Sequence, residues 1–240
     1  MLNAQGRVLF DALAYQIGEK EVLLDVNEGL SDALLGHLKQ FDLRREIEVT
    51  ERKDLSLYVA GDSETKLDNA LVDCIDPRTP LLGRRLVGQR KEELMPSDCS
   101  LYAMQRVLTA GVPEAPMDIY SGEAFPFECS GDCFGAVERQ RGCYLGQELT
   151  ARAIRLGLSR KRLVPWRSSG IAATQHQVGD QLLSSDRQAT VGRIQSVYNE
   201  GRFGFALVRA AFVAEGSEAF LLDGSRVQLH RATEQLDVTD

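Results

Sequence analysis

From Lys161 onward the chain is cut into short apolar segments by turn residues, and no helical period survives. The segments fall at 161–166, 180–183, 190–198, 203–209, 219–222 and 226–230. Between them stand Gly170, Gly179, Asn199-Glu-Gly201, Glu215-Gly-Ser217 and Asp223-Gly-Ser225, residue types that favour reversal of the backbone. Strands this short are not stable singly or in pairs, so they must close on one another. The pattern predicts a small antiparallel β-barrel or sandwich over 161–240.

Residues 1–160 read differently. The runs 7–15 and 21–26 predict two strands of a hairpin around Gly18. Ser31 stands where a cap would start a helix whose Leu34, Leu35, Leu38 and Phe41 share one face. Residues 46–49 and 55–59 alternate as strands. A second helix is expected over 97–110, closed by Gly111, with Tyr102, Val107 and Leu108 on its core face. Strands and helices in this mixed order predict α+β layering rather than regular βαβ winding. The chain is therefore read as an α+β domain, 1–160, followed by a β-barrel domain, 161–240.

Charge narrows the function. The chain carries 35 acidic against 28 basic side chains, a net charge of −7, which argues against a general nucleic-acid role. No apolar run is long enough to span a bilayer as a helix. The start, Met1 to Arg7, has neither a signal-peptide core nor an arginine-rich presequence. The five cysteines form an odd set without a disulfide-scaffold pattern, which favours a reducing compartment. Cys129 and Cys133 match no zinc spacing, and His37, His176 and His230 are scattered, so the two are read as loop thiols. Within this acidic chain, residues 139–167 hold Arg139, Arg141, Arg152, Arg155, Arg160, Lys161, Arg162 and Arg167 against one acid, Glu148. Such a segment is either a solvated face or a site for an anion or acidic partner, and the second reading is favoured here.

That basic segment contains the run Arg141-Gly-Cys-Tyr-Leu-Gly-Gln-Glu148, which puts the thiol of Cys143 just ahead of a helix-prone stretch ending near Gly157. Gly142 and Gly146 bracket the thiol and permit tight turns on both sides. A helix N-terminus and a neighbouring cation both favour a thiolate, so the place suits a nucleophile or a ligand to a soft metal centre. The plainer alternative is a cysteine packed in a glycine turn.

The run resembles the Lys-Gly-Cys-Tyr-x-Gly-Gln-Glu signature of the YgfZ-type proteins, relatives of the glycine-cleavage T-protein. Arg106, Gly111-Val-Pro-Glu114, Asp118 and Pro126-Phe-Glu128 are similar to the family's upstream motifs in order and spacing. Leu2 to Asp11 resembles its early hairpin, and Arg160-Lys-Arg-Leu163 resembles the start of its C-terminal barrel. One departure is Arg141, where the family usually has lysine: the charge is kept and the amine is lost. Compared with the family the chain begins late, so its N-terminal sheet is expected to present an open edge.

The resemblance implies a T-protein-like folate-binding α+β domain and, from the group's mitochondrial members, an iron–sulfur cluster assembly factor that works with A-type scaffold proteins on four-iron clusters. It implies a mitochondrial matrix address, with a bacterial cytoplasm as the alternative. In this reading Cys143 is the functional thiol, a ligand to a transiently shared cluster or a thiol acceptor, and Arg141 favours its thiolate. Gly142 and Gly146 shape the loop, Tyr144 flanks the thiol, and Gln147 and Glu148 fix the motif by hydrogen bonds. Glu128, with Asp11, would hold a tetrahydrofolate-type ligand, and Arg152 would attract its glutamate tail. A folate-dependent aminomethyl or methyl transferase is the alternative. The T-protein has two adjacent aspartates where this chain has Phe10-Asp11, so one carboxylate of that pair is gone. A cysteine hydrolase or oxidoreductase would need a base beside Cys143, and no histidine can be placed there from sequence.

Overall fold

The computed structural model describes residues 1–44, 46–61, 65–90, 99–137, 142–155, 160–169, 176–213 and 217–230, with the backbone alone at 154 and 155. The chain divides into two compact units, one comprising Met1 and Leu9–Met95, the other Leu2–Val8 and Pro96–Asp240. The change of sequence character at residue 160 thus marks the start of the barrel but lies inside the second unit.

In the first unit, β1 (Leu13–Gln16) and β2 (Val22–Asp25) form an antiparallel pair with Leu13 opposite Asp25. The expected first strand is shorter than its apolar run, because its early part is used elsewhere: the Leu9 amide bonds Met1, and residues 2–8 belong to the second unit. Helix α1 (Ser31–Phe41) forms as expected and buries Leu34. Its start is not capped by Ser31. Asn27 accepts from the Gly29 amide at the head of a preceding 3-10 turn, Glu28–Leu30. Residues 46–49, expected as a strand, are irregular. The Asp42 carboxylate instead takes the amides of Glu46 and Ile47, at 3.1 and 3.2 Å, and so captures donors that a ladder would need. Strands β3 (Leu55–Ala60), β4 (Val72–Ile75) and β5 (Arg84–Gln89) form a sheet in the order β3-β5-β4. Leu86 of β5 packs with Ala60, Leu67, Tyr58 and Ala70 on one face.

In the second unit, α2 (Cys99–Met104) widens into π-helical turns over Gln105–Ala110, and Gly111 closes the run. Val107 is fully buried, while Tyr102 and Leu108 are half-buried. Helix α3 (Gln147–Arg155) follows the thiol motif. Strands β6 (Lys161–Ser168), β7 (Gln181–Leu183), β8 (Thr190–Ile194), β9 (Phe203–Arg209), β10 (Glu218–Phe220) and β11 (Arg226–Leu229) then close into a barrel in the order β10-β11-β6-β9-β8-β7. Pairing of Phe220 with Leu183 completes the ring. Alternate side chains, among them Val164, Trp166, Leu182, Ile194, Ala206, Val208, Val227 and Leu229, fill the interior as the period-2 pattern requires. The fold is α+β with a small antiparallel barrel.

Candidate functional site

The thiol of Cys143 is exposed, on a loop that leads into α3 four residues later. Three contacts shape this loop from within the motif. Gln147 Nε2 donates to the Gly142 carbonyl at 2.9 Å, and the Gln147 amide donates to the Tyr144 carbonyl at 3.1 Å. Thr150, fully buried, donates its hydroxyl to the Gly146 carbonyl at 2.9 Å. Gln147 thus bonds to the residues on either side of the thiol, Gly142 and Tyr144. Glu148 and Arg152 are exposed on α3, and Tyr144 is exposed beside the thiol. Arg141 lies outside the described residues, as do Arg139 and Gly157.

Gly142 and Gly146 both have positive φ, +53° and +82°, but for different reasons. Open space surrounds Gly142, so only its backbone angle calls for glycine. A Cβ on Gly146 would lie 2.5 Å from the Asn3 carbonyl oxygen and 2.7 Å from Gly6 Cα. The thiol loop therefore rests against the turn at residues 3–6, backbone on backbone.

Glu128 is mostly buried, and its Oε2 accepts from the Phe125 amide at 2.8 Å and faces Arg7 Nη1 at 3.7 Å. The Arg7 guanidinium lies 3.8 Å from the centre of the Phe125 ring and donates to the Glu123 carbonyl at 2.5 Å. One Glu128 oxygen is thus committed to the protein. Phe10 is buried in the first unit with His37 edge-on at 5.6 Å. Asp11 is half-buried in the same unit. A cleft of about 380 Å³ in that unit is lined by Arg52, Leu55, Asp68, Asn69, Leu71, Gln89 and Arg90, and includes neither Asp11 nor Glu128.

The upstream motif residues form a buried network. Arg106 donates to Asp118 Oδ2 at 2.7 Å, to the Val112 carbonyl at 2.6 Å and to the Tyr198 hydroxyl at 2.7 Å. Tyr198 donates to Asp118 Oδ1 at 2.9 Å, the Glu114 amide donates to Asp118 Oδ2, and Tyr102 donates to Glu114. Burial disfavours the Arg106 charge, but Asp118 and Glu114 outweigh it and hold the guanidinium protonated. Burial, with Asp118 adding to it, pushes the Tyr198 phenol up. This network fastens the 99–118 segment to the barrel. Tyr198 is a member that the sequence motifs did not reveal.

No disulfide links the five cysteines. Burial raises the Cys74 and Cys133 thiols, with Asp76 and Asp132 adding to it, so both stay protonated near neutrality. Cys133 sits 3.6 Å from Arg162, which forms a two-pronged ion pair with Asp132. Cys129 is buried. Among the described residues, no group of three histidine, cysteine or acidic side chains is placed to hold a metal ion.

No family model matches the chain. It is 33% identical over 232 residues to the human mitochondrial iron–sulfur cluster assembly factor IBA57, covering 86% of this chain and 63% of that protein. The mouse protein of the same name is 30% identical, covering 87% of this chain and 63% of its own length. The Aspergillus fumigatus homologue is 31% identical, covering 68% and 46%. The chain thus spans between about half and two thirds of the length of these relatives. Among solved structures, the glycine cleavage system aminomethyltransferase T from Bartonella henselae superposes with a TM-score of 0.57 over 96% of this chain and 73% of its own, at 15% identity. That likeness establishes the fold and nothing finer.

Proposed function

We propose, for a chain that is a relative of the mitochondrial iron–sulfur cluster assembly factors named IBA57 and has the aminomethyltransferase T fold, that it takes part in assembling iron–sulfur clusters through Cys143. The observation that carries this reading is the exposed thiol on a loop held by Gln147, Thr150 and two glycines. A packed cysteine would need none of that and would not face solvent. The cluster is cargo. A single thiol cannot hold it, and iron in such clusters is bound by several thiolates. Cys143 therefore supplies one ligand while a partner supplies the rest. The Cys143 proton passes to solvent as the S–Fe bond forms, a solvent or thiolate ligand leaves the iron, and no electron moves. The partner is an A-type scaffold protein, the clients are four-iron proteins, and the compartment is the mitochondrial matrix.

A tetrahydrofolate-type ligand is part of the proposal. Glu128 fits it in part, because Oε2 is engaged by Phe125 and Arg7 while Oε1 has no partner among the described residues. Glu128 would accept from the ring N–H groups, and the folate would supply one-carbon carriage when bound. Aminomethyl transfer is disfavoured by Phe10, whose buried ring can neither steer a proton nor offset positive charge.

The decisive experiment is Cys143→Ser in cells lacking their own factor. Maturation of four-iron enzymes is expected to be lost, while the melting temperature stays within about 2 °C because an exposed, near-isosteric change removes little packing. Full rescue by the serine variant would leave only the glycine-turn role. Cys74 and Cys133 are expected to alkylate more slowly than Cys143 at neutral pH.

A further inference from the structure

We infer that the segment Asn3–Val8 is a strap that positions the thiol loop, with Gly6 as its contact residue and the Arg7–Glu128 pair as its anchor. The inference rests on the Cys143 reading given above. The strap is stiff in itself. Asn3 Oδ1 accepts from the amides of Gln5 and Arg7 at 3.0 and 2.9 Å, and the Asn3 and Gly6 amides bond within the same turn. Its far end is fastened to the 122–128 segment. The Val8 amide donates to the Ala124 carbonyl at 2.9 Å, the Gly122 amide donates to the Val8 carbonyl at 2.7 Å, and Arg7 is held by Glu123, Phe125 and Glu128.

The near end lies against the thiol motif. A Cβ on Gly6 would come within 2.9 Å of Thr150 Oγ1 and 3.1 Å of the Gly146 carbonyl oxygen, while Gly6 and Asn3 crowd Gly146 from the other side. Gly146 cannot gain a side chain without parting the two backbones, and a side chain on Gly6 would displace the Thr150 hydroxyl and press on the Gly146 carbonyl. The internal bonds of the motif set the curl of the loop. They do not set where it points, and this contact does. The strap also departs from its chain neighbours: residues 9–95 form the other compact unit, while 2–8 join the unit that holds Cys143. Glu128 then acts on the thiol at one remove, as a positioning residue, in addition to any ligand it receives.

The test uses the full chain. Gly6→Ala crowds the Thr150 hydroxyl and the Gly146 carbonyl, and Arg7→Gln loosens the anchor without adding bulk, so the second variant stands if the first folds poorly. In both, hydrogen exchange of the amides at 144–150 is expected to quicken by about tenfold or more, with the amides of Ser196 and Phe205, bonded to each other's residues in the barrel, unchanged. In Arg7→Gln, rescue of four-iron enzyme maturation is expected to fall by about fivefold or more at an unchanged melting temperature, a split that a purely structural role would not give; Gly6→Ala, which strains a left-handed φ of +72°, is read by exchange alone. Wild-type exchange at 144–150 in both variants overturns the strap. So does loss of protection throughout the second unit, which would make the segment a general folding element. Cys143→Ser separates the two ideas: if it retains activity, the cluster reading fails, and the exchange data still decide the strap.

Discussion

Tyr15 shows how one buried group sets a pH limit. Its hydroxyl is buried amid Arg85, Asp25 and Cys74. Burial pushes the phenol from its ordinary 10 up to about 12, against the pull of Arg85. The folded state therefore keeps the proton longer than the unfolded chain does. Stability from this group is fully present below pH 10 and drains away as pH rises toward 12. Equilibrium unfolding of the first unit is expected to weaken across that window, and Tyr15→Phe is expected to remove that part of the slope. An unchanged slope in the variant would assign the alkaline loss to other groups. Asp76 works from the opposite side. Burial would raise its carboxyl, but Arg78, bonded at 2.8 Å, and Arg85 outweigh that and hold it low. Neither residue stands out in the sequence, because a lone Tyr or Asp in a short strand or turn carries no signal of what will surround it.

At the scale of the element, the thiol loop separates two uses of glycine that look alike in sequence. Gly142 and Gly146 both adopt left-handed angles, a region that asparagine tolerates better than most residues. Gly142 faces open space and Gly146 faces Asn3 and Gly6. Gly142→Asn is expected to lower stability by about 1 kcal/mol or less, whereas Gly146→Asn is expected to cost several times more, because its Cβ has nowhere to go. Thermal unfolding of the two variants checks this, and equal effects would show that backbone angle alone governs both sites. The motif, its helix and its bracketing glycines were legible because spacing within about a dozen residues carries that information. The partner of Gly146 was not, since nothing local in the motif names residues 3–6.

Across the whole molecule, the two units differ in how their sheets end. The barrel is closed, so its strands pair on both sides. In the first unit, among the described residues, β3 and β4 each pair only with β5, and Leu57, Val59 and Ile75 are between 38% and 52% exposed. Open edges with apolar side chains open locally and invite pairing. Amides of β3 and β4 are therefore expected to exchange at least about tenfold faster than those of β6 and β9 in native-state hydrogen exchange. Comparable protection would show that the edges are covered by something other than strand pairing.

The sequence alone determined the barrel and the helix after Cys143. Period-2 alternation, turn residues and helix punctuation are local rules that act within a few residues, and nothing later in folding overrode them here. It misplaced the strand at 46–49, because a short polar capture by Asp42 competes with strand propensity and leaves the same apolar pattern behind. Only the tertiary structure decided the rest. It sent residues 2–8 away from their hairpin to stand behind Gly146, and it closed the Arg106–Asp118 pair with Tyr198, 92 and 80 residues away. Such contacts depend on which surfaces meet after collapse, and a single chain's local pattern carries no record of that meeting.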